Sequence, residues 1–190
     1  MKVRFFLSCV IASVALLQGC ATNVKASVKQ NPAPTEPFSA FGHIELKPVT
    51  FKQGLAAEPA ALAKIDENLR KTLVPEIAKW NARSPNGRTL TIEPVIEQFE
   101  FHHGASRVLL GPFVGSSGVL MRVKFVDDKG ALINNAEFFQ HTTATAGWVM
   151  GIADNIMLVR ISGLASRYVI ANYSQAVGGA TGASDAALAP

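Results

Sequence analysis

Six apolar residues between Leu62 and Trp80 constrain this chain more than any other stretch. Leu62, Ile65, Leu69, Leu73, Ile77 and Trp80 recur at gaps of 3, 4, 4, 4 and 3 residues. On an α-helix that period draws one apolar stripe, which has to be buried against a core. The spacing predicts a helix from Pro59 to about Arg83. Pro59 falls in the first turn, where proline is tolerated, whereas Pro75 predicts a kink or two abutting helices. Asp66 with Arg70 and Glu67 with Lys71 set acid before base at i,i+4, which reads as a solvated face.

The partner of that stripe is written in period two. Phe38 to Lys52 reads as a first strand, in which Phe41, His43, Glu45 and Lys47 alternate with Ile44 and Leu46. Pro48 limits it to a sheet edge or to two pieces. After the Asn86-Gly87 turn signal, Arg88 to Phe101 has strand character. Its apolar phase shifts beyond Pro94, as a β-bulge would produce. Val119 to Val126 places Val119, Met121, Val123 and Phe125 on one face, with Arg122 and Lys124 on the other. The Asp127-Asp128-Lys129-Gly130 turn then returns Ala131 to His141 as the partner strand. Asn134-Asn135 is an odd pair for a strand interior.

A second helix runs from a cap at Asp154 to about Tyr173. One stripe, Met157, Ile161, Leu164 and Tyr168, is apolar. Another carries Arg160, Gly163 and Arg167 between Ile156 and Ile170. So little of the surface is polar that the helix is expected to lie largely against the sheet, with Gly163 and Ala165 allowing close approach. Strand, helix, several strands, helix is the order of an α+β domain: an antiparallel sheet with two main helices on one face. Residues 38–173 are expected to form that single domain. Residues 174–190 are rich in Gly, Ala and Ser and read as a disordered tail.

The N-terminus is of another kind. Met1 to Arg4 is basic, and Phe5 to Leu17 is uncharged and apolar, too short for a spanning helix of about 20 residues but of the length of a secretory core. Gly19-Cys20 closes it in a way that resembles a bacterial lipobox, so residues 1–19 are expected to be a signal peptide and Cys20 the lipidated first residue of the mature chain. Ala21 rather than Asp follows, which by the same resemblance favours the outer membrane. Acyl chains, at about 0.8 kcal/mol per buried methylene, would anchor a soluble domain stably. Residues 20–37, with Pro32, Pro34 and Pro37, read as a flexible tether able to reach about 50 Å.

That leader removes several chemistries. Cys9 leaves with it and Cys20 is acylated, so no thiol remains for a disulfide, a thiolate metal site or a nucleophile. Lys2 and Arg4 leave as well, and 16 basic residues then face 14 acidic ones. Such a near-balanced surface gives no argument for nucleic acid. His43, His102, His103 and His141 lack a metal-ligand spacing, and neighbouring histidines on a strand point to opposite faces. No cofactor or metal is expected.

Gly104-Ala105-Ser106-Arg107, then Gly111-Pro112-Phe113-Val114-Gly115-Ser116-Ser117-Gly118 leading into Val119 to Val123, together with the Asp-Asp-Lys-Gly turn and a C-terminal helix, resemble the bacterial lipoprotein family termed domain of unknown function 4410. The resemblance spans about residues 38–173. It departs at Asn134-Asn135 and at the Gly147–Gly151 loop. It implies the fold and the lipoprotein habit, and it carries over no catalytic residue.

Two stretches are candidate interaction sites. The first is the loop with Arg107, Gly111, Phe113, Gly115, Ser116, Ser117 and Gly118. It reads either as a surface for a partner or an anionic ligand or as a glycine-rich connection with special backbone needs. It lacks the Gly-Lys-Ser/Thr of a phosphate loop and the Gly-x-Ser-x-Gly of a hydrolase, so no enzyme is expected and no catalytic residue is assigned. The second is the apolar patch around Trp148 and Met150, which reads either as a docking patch, for a partner or for lipid headgroups, or as core. The sum is a non-catalytic, lipid-anchored outer-membrane protein whose periplasmic domain binds another envelope protein. The alternatives are a small-ligand or anion-binding domain and, last, a hydrolase.

Overall fold

In the computed structural model the described residues are 24–55, 58–100, 117–142 and 152–189. A five-stranded sheet carries two long helices, α1 (Pro59–Asn81) and α2 (Ile152–Ser174). Its path runs β2 (His43–Leu46), β4 (Thr89–Glu100), β5 (Ser117–Asp127), β6 (Leu132–Thr142), and β3 (Thr50–Phe51) also pairs with β4. β4, β5 and β6 are antiparallel neighbours, and the short Asp127–Gly130 turn between β5 and β6 permits no other direction for that pair. β2 and β3 lie parallel to β4, because α1 crosses over between them. The class is α+β, with a mixed sheet.

Pro48 splits the edge strand into β2 and β3, and Pro94 answers it across the ladder. Lys47 N donates to Ile92 O and Lys52 N to Ile96 O, each at 2.9 Å. Alternate residues of a strand present their backbone groups to the same side, so the donor that Pro94 lacks would have pointed at the break. Asp66 of α1 closes that gap: its Oδ1 accepts from Val49 N at 3.0 Å while Oδ2 accepts from Arg70 Nε at 2.7 Å. The Asp66–Arg70 pair is therefore more than a solvated face.

The phase shift in β4 comes later along the strand than the sequence suggested. Leu90, Ile92, Pro94 and Ile96 all stay on the buried face, and the ladder with β5 shifts between Ile96 and Gln98. A second irregularity lies at Phe125/Val126, opposite the start of β6. Asn134 is accommodated by its partners: its Nδ2 donates to the Tyr168 hydroxyl at 2.5 Å and to Pro32 O at 3.1 Å.

The core lies between the inner face of the sheet and the two helices. Ile65, Leu69 and Leu73 of α1, Val119, Met121, Val123 and Phe125 of β5, and Met157, Ile161 and Tyr168 of α2 all belong to it. Phe38, in a short 3-10 turn at Phe38–Ala40, stacks on Phe125 with ring centroids 4.7 Å apart. The helices run side by side in the same direction. Ser162 Oγ reaches Ile65 O at 3.2 Å, and Trp80 stacks on Tyr173 at 4.1 Å. One helix continues through Pro75, which is exposed, so water can serve the Lys71 carbonyl that loses its partner.

Both segments expected to be loose are built into the fold. Within residues 24–37, β1 (Gln30–Asn31) pairs antiparallel with β7 (Gly179–Ala180) of the C-terminal segment. A further 3-10 turn at Asp185–Ala187 follows. Between Val24 and Pro37 the chain is thus no free tether, and residues 175–189 are no disordered tail. The physical reason is on the second face of the sheet. Leu120 of β5 and Phe139 of β6 point away from the helices, and Val24, Ala26 and Ala187 cover them in a small second core. Buried aliphatic and aromatic side chains contribute about 1.5–3 kcal/mol each, enough to order short segments of weak intrinsic preference.

Candidate functional site

The polar centre of the outer sheet face is Glu137. It points away from the helices from β6, yet is only 2% exposed, because residues 24–31 cross over it. Its Oε1 accepts from Ser27 N at 2.7 Å and Val28 N at 2.8 Å, and its Oε2 accepts from Ser27 Oγ at 2.6 Å. Arg122 on β5 adds its Nη2 at 3.2 Å, while its Nε pairs with Glu97 Oε2 at 2.9 Å. Four donors converge on one carboxylate, so Glu137 is a saturated clasp with no lone pair left for substrate chemistry.

The clasp extends along the β6 edge. The Asn31 side chain donates to Glu137 O and accepts from Glu137 N, Thr35 N donates to Ile133 O, and Phe139 N donates to Thr181 O. An exposed edge strand is a template for foreign strands, and here the protein's own two ends occupy it. Further along, Arg88 holds Glu36 through two nitrogens, at 2.6 and 2.8 Å, and lies 4.3 Å from the Phe41 ring centre. The Arg88 hydrogen bonds hold the Glu36 carboxyl below its usual range. Burial raises the Tyr168 hydroxyl above its usual range, so it stays protonated, donating to Pro32 O at 2.8 Å.

Of the residues singled out from the sequence, Cys20, Arg107, Gly111, Phe113, Gly115, Ser116, Trp148 and Met150 lie outside the described residues. Ser117 and Gly118 are placed, and not in a loop. They open β5, pair with Thr142 and His141, and are buried, Ser117 with 0% exposure. That removes both from any exposed ligand-binding loop. The sequence had offered a hint, since Ser117 and Gly118 continue directly into the alternation that starts at Val119. Among the described residues no three His, Cys, Asp or Glu side chains are grouped to hold a metal. His43 and His141 sit on strands at opposite edges of the sheet.

The outer surface of α2 differs from its expected burial. Met157, Leu158, Ile161, Ala165, Tyr168 and Val169 face inward. Ile156, Val159 and Ile170 are 43%, 46% and 41% exposed, and Arg160 and Arg167 are exposed between them. Gly163 is half-buried on this outer stripe, so only Ala165 serves the close approach foreseen for the pair. A recess of about 150 Å³ borders the stripe where Leu164, Arg167 and Tyr168 meet Gly178 and Gly179. No described helix is long and apolar enough to cross a membrane.

No family model matches the chain, and no curated protein matches it. Among solved structures it is similar to a PelC dodecamer from Paraburkholderia phytofirmans, at 13% identity and a TM-score of 0.39, over 72% of this chain and 96% of that one. A point variant of the same PelC dodecamer gives 12% identity and a TM-score of 0.41, over 70% and 91% of the two chains.

Proposed function

We propose that this chain is a non-catalytic lipoprotein, anchored in the outer membrane through Cys20, whose α+β domain faces the periplasm and binds another protein of the cell envelope. The leader, with its basic start, short apolar core and Gly19-Cys20 end, supports the anchoring half. The observation that carries the binding half is the solvent-facing stripe of α2. Ile156, Val159 and Ile170 each leave more than two fifths of their surface in water, along one side of a single helix. Ile156 and Val159 lie one turn apart and Ile170 three turns further on, with Arg160, Gly163 and Arg167 on the same side between them. Such a mixed apolar and basic surface supports a contact role. Arg160 and Arg167 lie along it and suit a partner whose apolar ridge is bordered by carboxylates.

The test is a photo-crosslinking amino acid at Val159 in the lipidated protein, in intact cells. The reading expects one discrete adduct with an envelope protein, identified by mass spectrometry and lost when Ile156 and Ile170 are changed to Asp. Adducts only with lipid or with other copies of the chain would sink the binding half.

A further inference from the structure

Only Ala21, Thr22 and Asn23 separate Cys20 from Val24. The four Cα–Cα steps between them span no more than about 14 Å when fully extended. No slack is held in reserve beyond that point. Val24 is buried against the second core. Ala26 N donates to Ala187 O at 3.0 Å, and Ala26 O accepts from Ala189 N at 2.8 Å. Ser27 and Val28 are fastened to Glu137.

We infer that residues 24–27 and 184–189, at the Val24 end of the outer sheet face, are the surface this protein lays against phospholipid headgroups. The inference rests on the reading of Cys20 as the acylated residue, and deepens it by naming the face turned to the bilayer. Acyl chains on Cys20 fix where the membrane lies, and a leash of about 14 Å is little more than the diameter of one helix. An interposed protein domain does not fit in that gap, so lipid meets this face directly. Lys25, whose Nζ lies 3.0 Å from Ala186 O, marks its centre. The other end of the sheet is remote: the Asp127–Gly130 turn begins seven residues along β5 from Leu120, about 23 Å away. A chain with the expected 50 Å tether would have no preferred face, whereas this one is held in one orientation.

Full-length lipidated protein, reconstituted into vesicles of phosphatidylethanolamine and phosphatidylglycerol with an energy acceptor on the headgroups, tests this. With Cys9 gone and Cys20 acylated, a dye on Ser184→Cys or on Lys129→Cys labels one position alone. Both residues are exposed and lie at opposite ends of the sheet. The separation of about 23 Å along the strand is expected to make energy transfer at least about three-fold stronger from position 184. A 15-residue Gly/Ser linker inserted after Asn23 is expected to erase the difference. Equal transfer from the two positions without the linker, when mass spectrometry finds Cys20 acylated, overturns the inference and leaves the lipoprotein reading standing. Cys20 found unacylated overturns both.

Discussion

Asn31 and Glu137 are joined twice through one side chain: the Asn31 amide nitrogen donates to Glu137 O at 2.7 Å and its amide oxygen accepts from Glu137 N at 2.8 Å. One residue thus imitates the paired backbone groups of a neighbouring strand. Asn81, at the end of α1, does the same at the opposite edge, accepting from Ile44 N at 2.8 Å and donating to Ile44 O at 2.9 Å. Both edges of the sheet are closed by an asparagine where a further strand could have added.

Replacing Asn31 with Ala strands two backbone groups of Glu137 in a buried position. Each such loss costs about 1–3 kcal/mol, so N31A is expected to lower unfolding stability by about 2–6 kcal/mol in urea titration. N81A is expected to cost less, because its site is only part-buried.

Glu137→Ala removes the acceptor for Ser27 and Val28 and leaves Arg122 with Glu97 alone. Removing one member of a buried ion pair costs about 3–5 kcal/mol, and the remaining Glu97 contact places this variant near 3. Amide exchange at Ser27 and Val28 is expected to accelerate more than exchange in β4. Uniform acceleration across both would mean that the strap and the sheet open together.

Gly178 has φ of +74°, and an added Cβ would lie 2.5 Å from the Asn31 carbonyl oxygen. G178A combines a left-handed backbone with a backbone clash, so a loss of about 1–3 kcal/mol is expected. The β1–β7 pairing is expected to open first, visible as faster exchange at Thr181 N, which donates to Lys29 O.

Acid stability carries a signature of Glu36. Its folded pKa is depressed by the hydrogen bonds from Arg88, so the unfolded chain takes up the proton first as pH falls. The contribution is complete above the ordinary carboxylate range and is lost as pH drops through the depressed folded value. Glu36→Gln is expected to give a shallower fall of Tm with acid than the parent chain, with the two curves converging at the acid end.

Val159 is 46% exposed and belongs to neither core cluster, so Val159→Asp is expected to stay within about 0.5 kcal/mol of the parent. If the α2 stripe is a docking surface, the same change weakens partner capture from a crosslinker placed at Arg160. Unchanged capture would place the contact elsewhere.

The α1 stripe was legible from residues 62–80 because its period of 3.6 has one geometric solution. The β5 alternation at residues 119–125 was legible in the same way, and the pair was enough to define an α+β layer. The two ends of the chain were not legible. Residues 24–37 and 175–189 are short, polar or small, and their own composition describes loose chain. What orders them is supplied from far away in sequence: Leu120 and Phe139 need a cover, and Glu137 needs donors. Asn31 and Asn81 were equally silent, and Asp66 showed only as the i,i+4 partner of Arg70, because a side chain that replaces a missing strand or fills a proline gap leaves no periodic mark. Local period determined which elements form and which faces they bury. Only the tertiary structure decided how the ends are fastened, because the apolar cover and the donors involved meet across long stretches of chain, more than a hundred residues between Ser27 and Glu137.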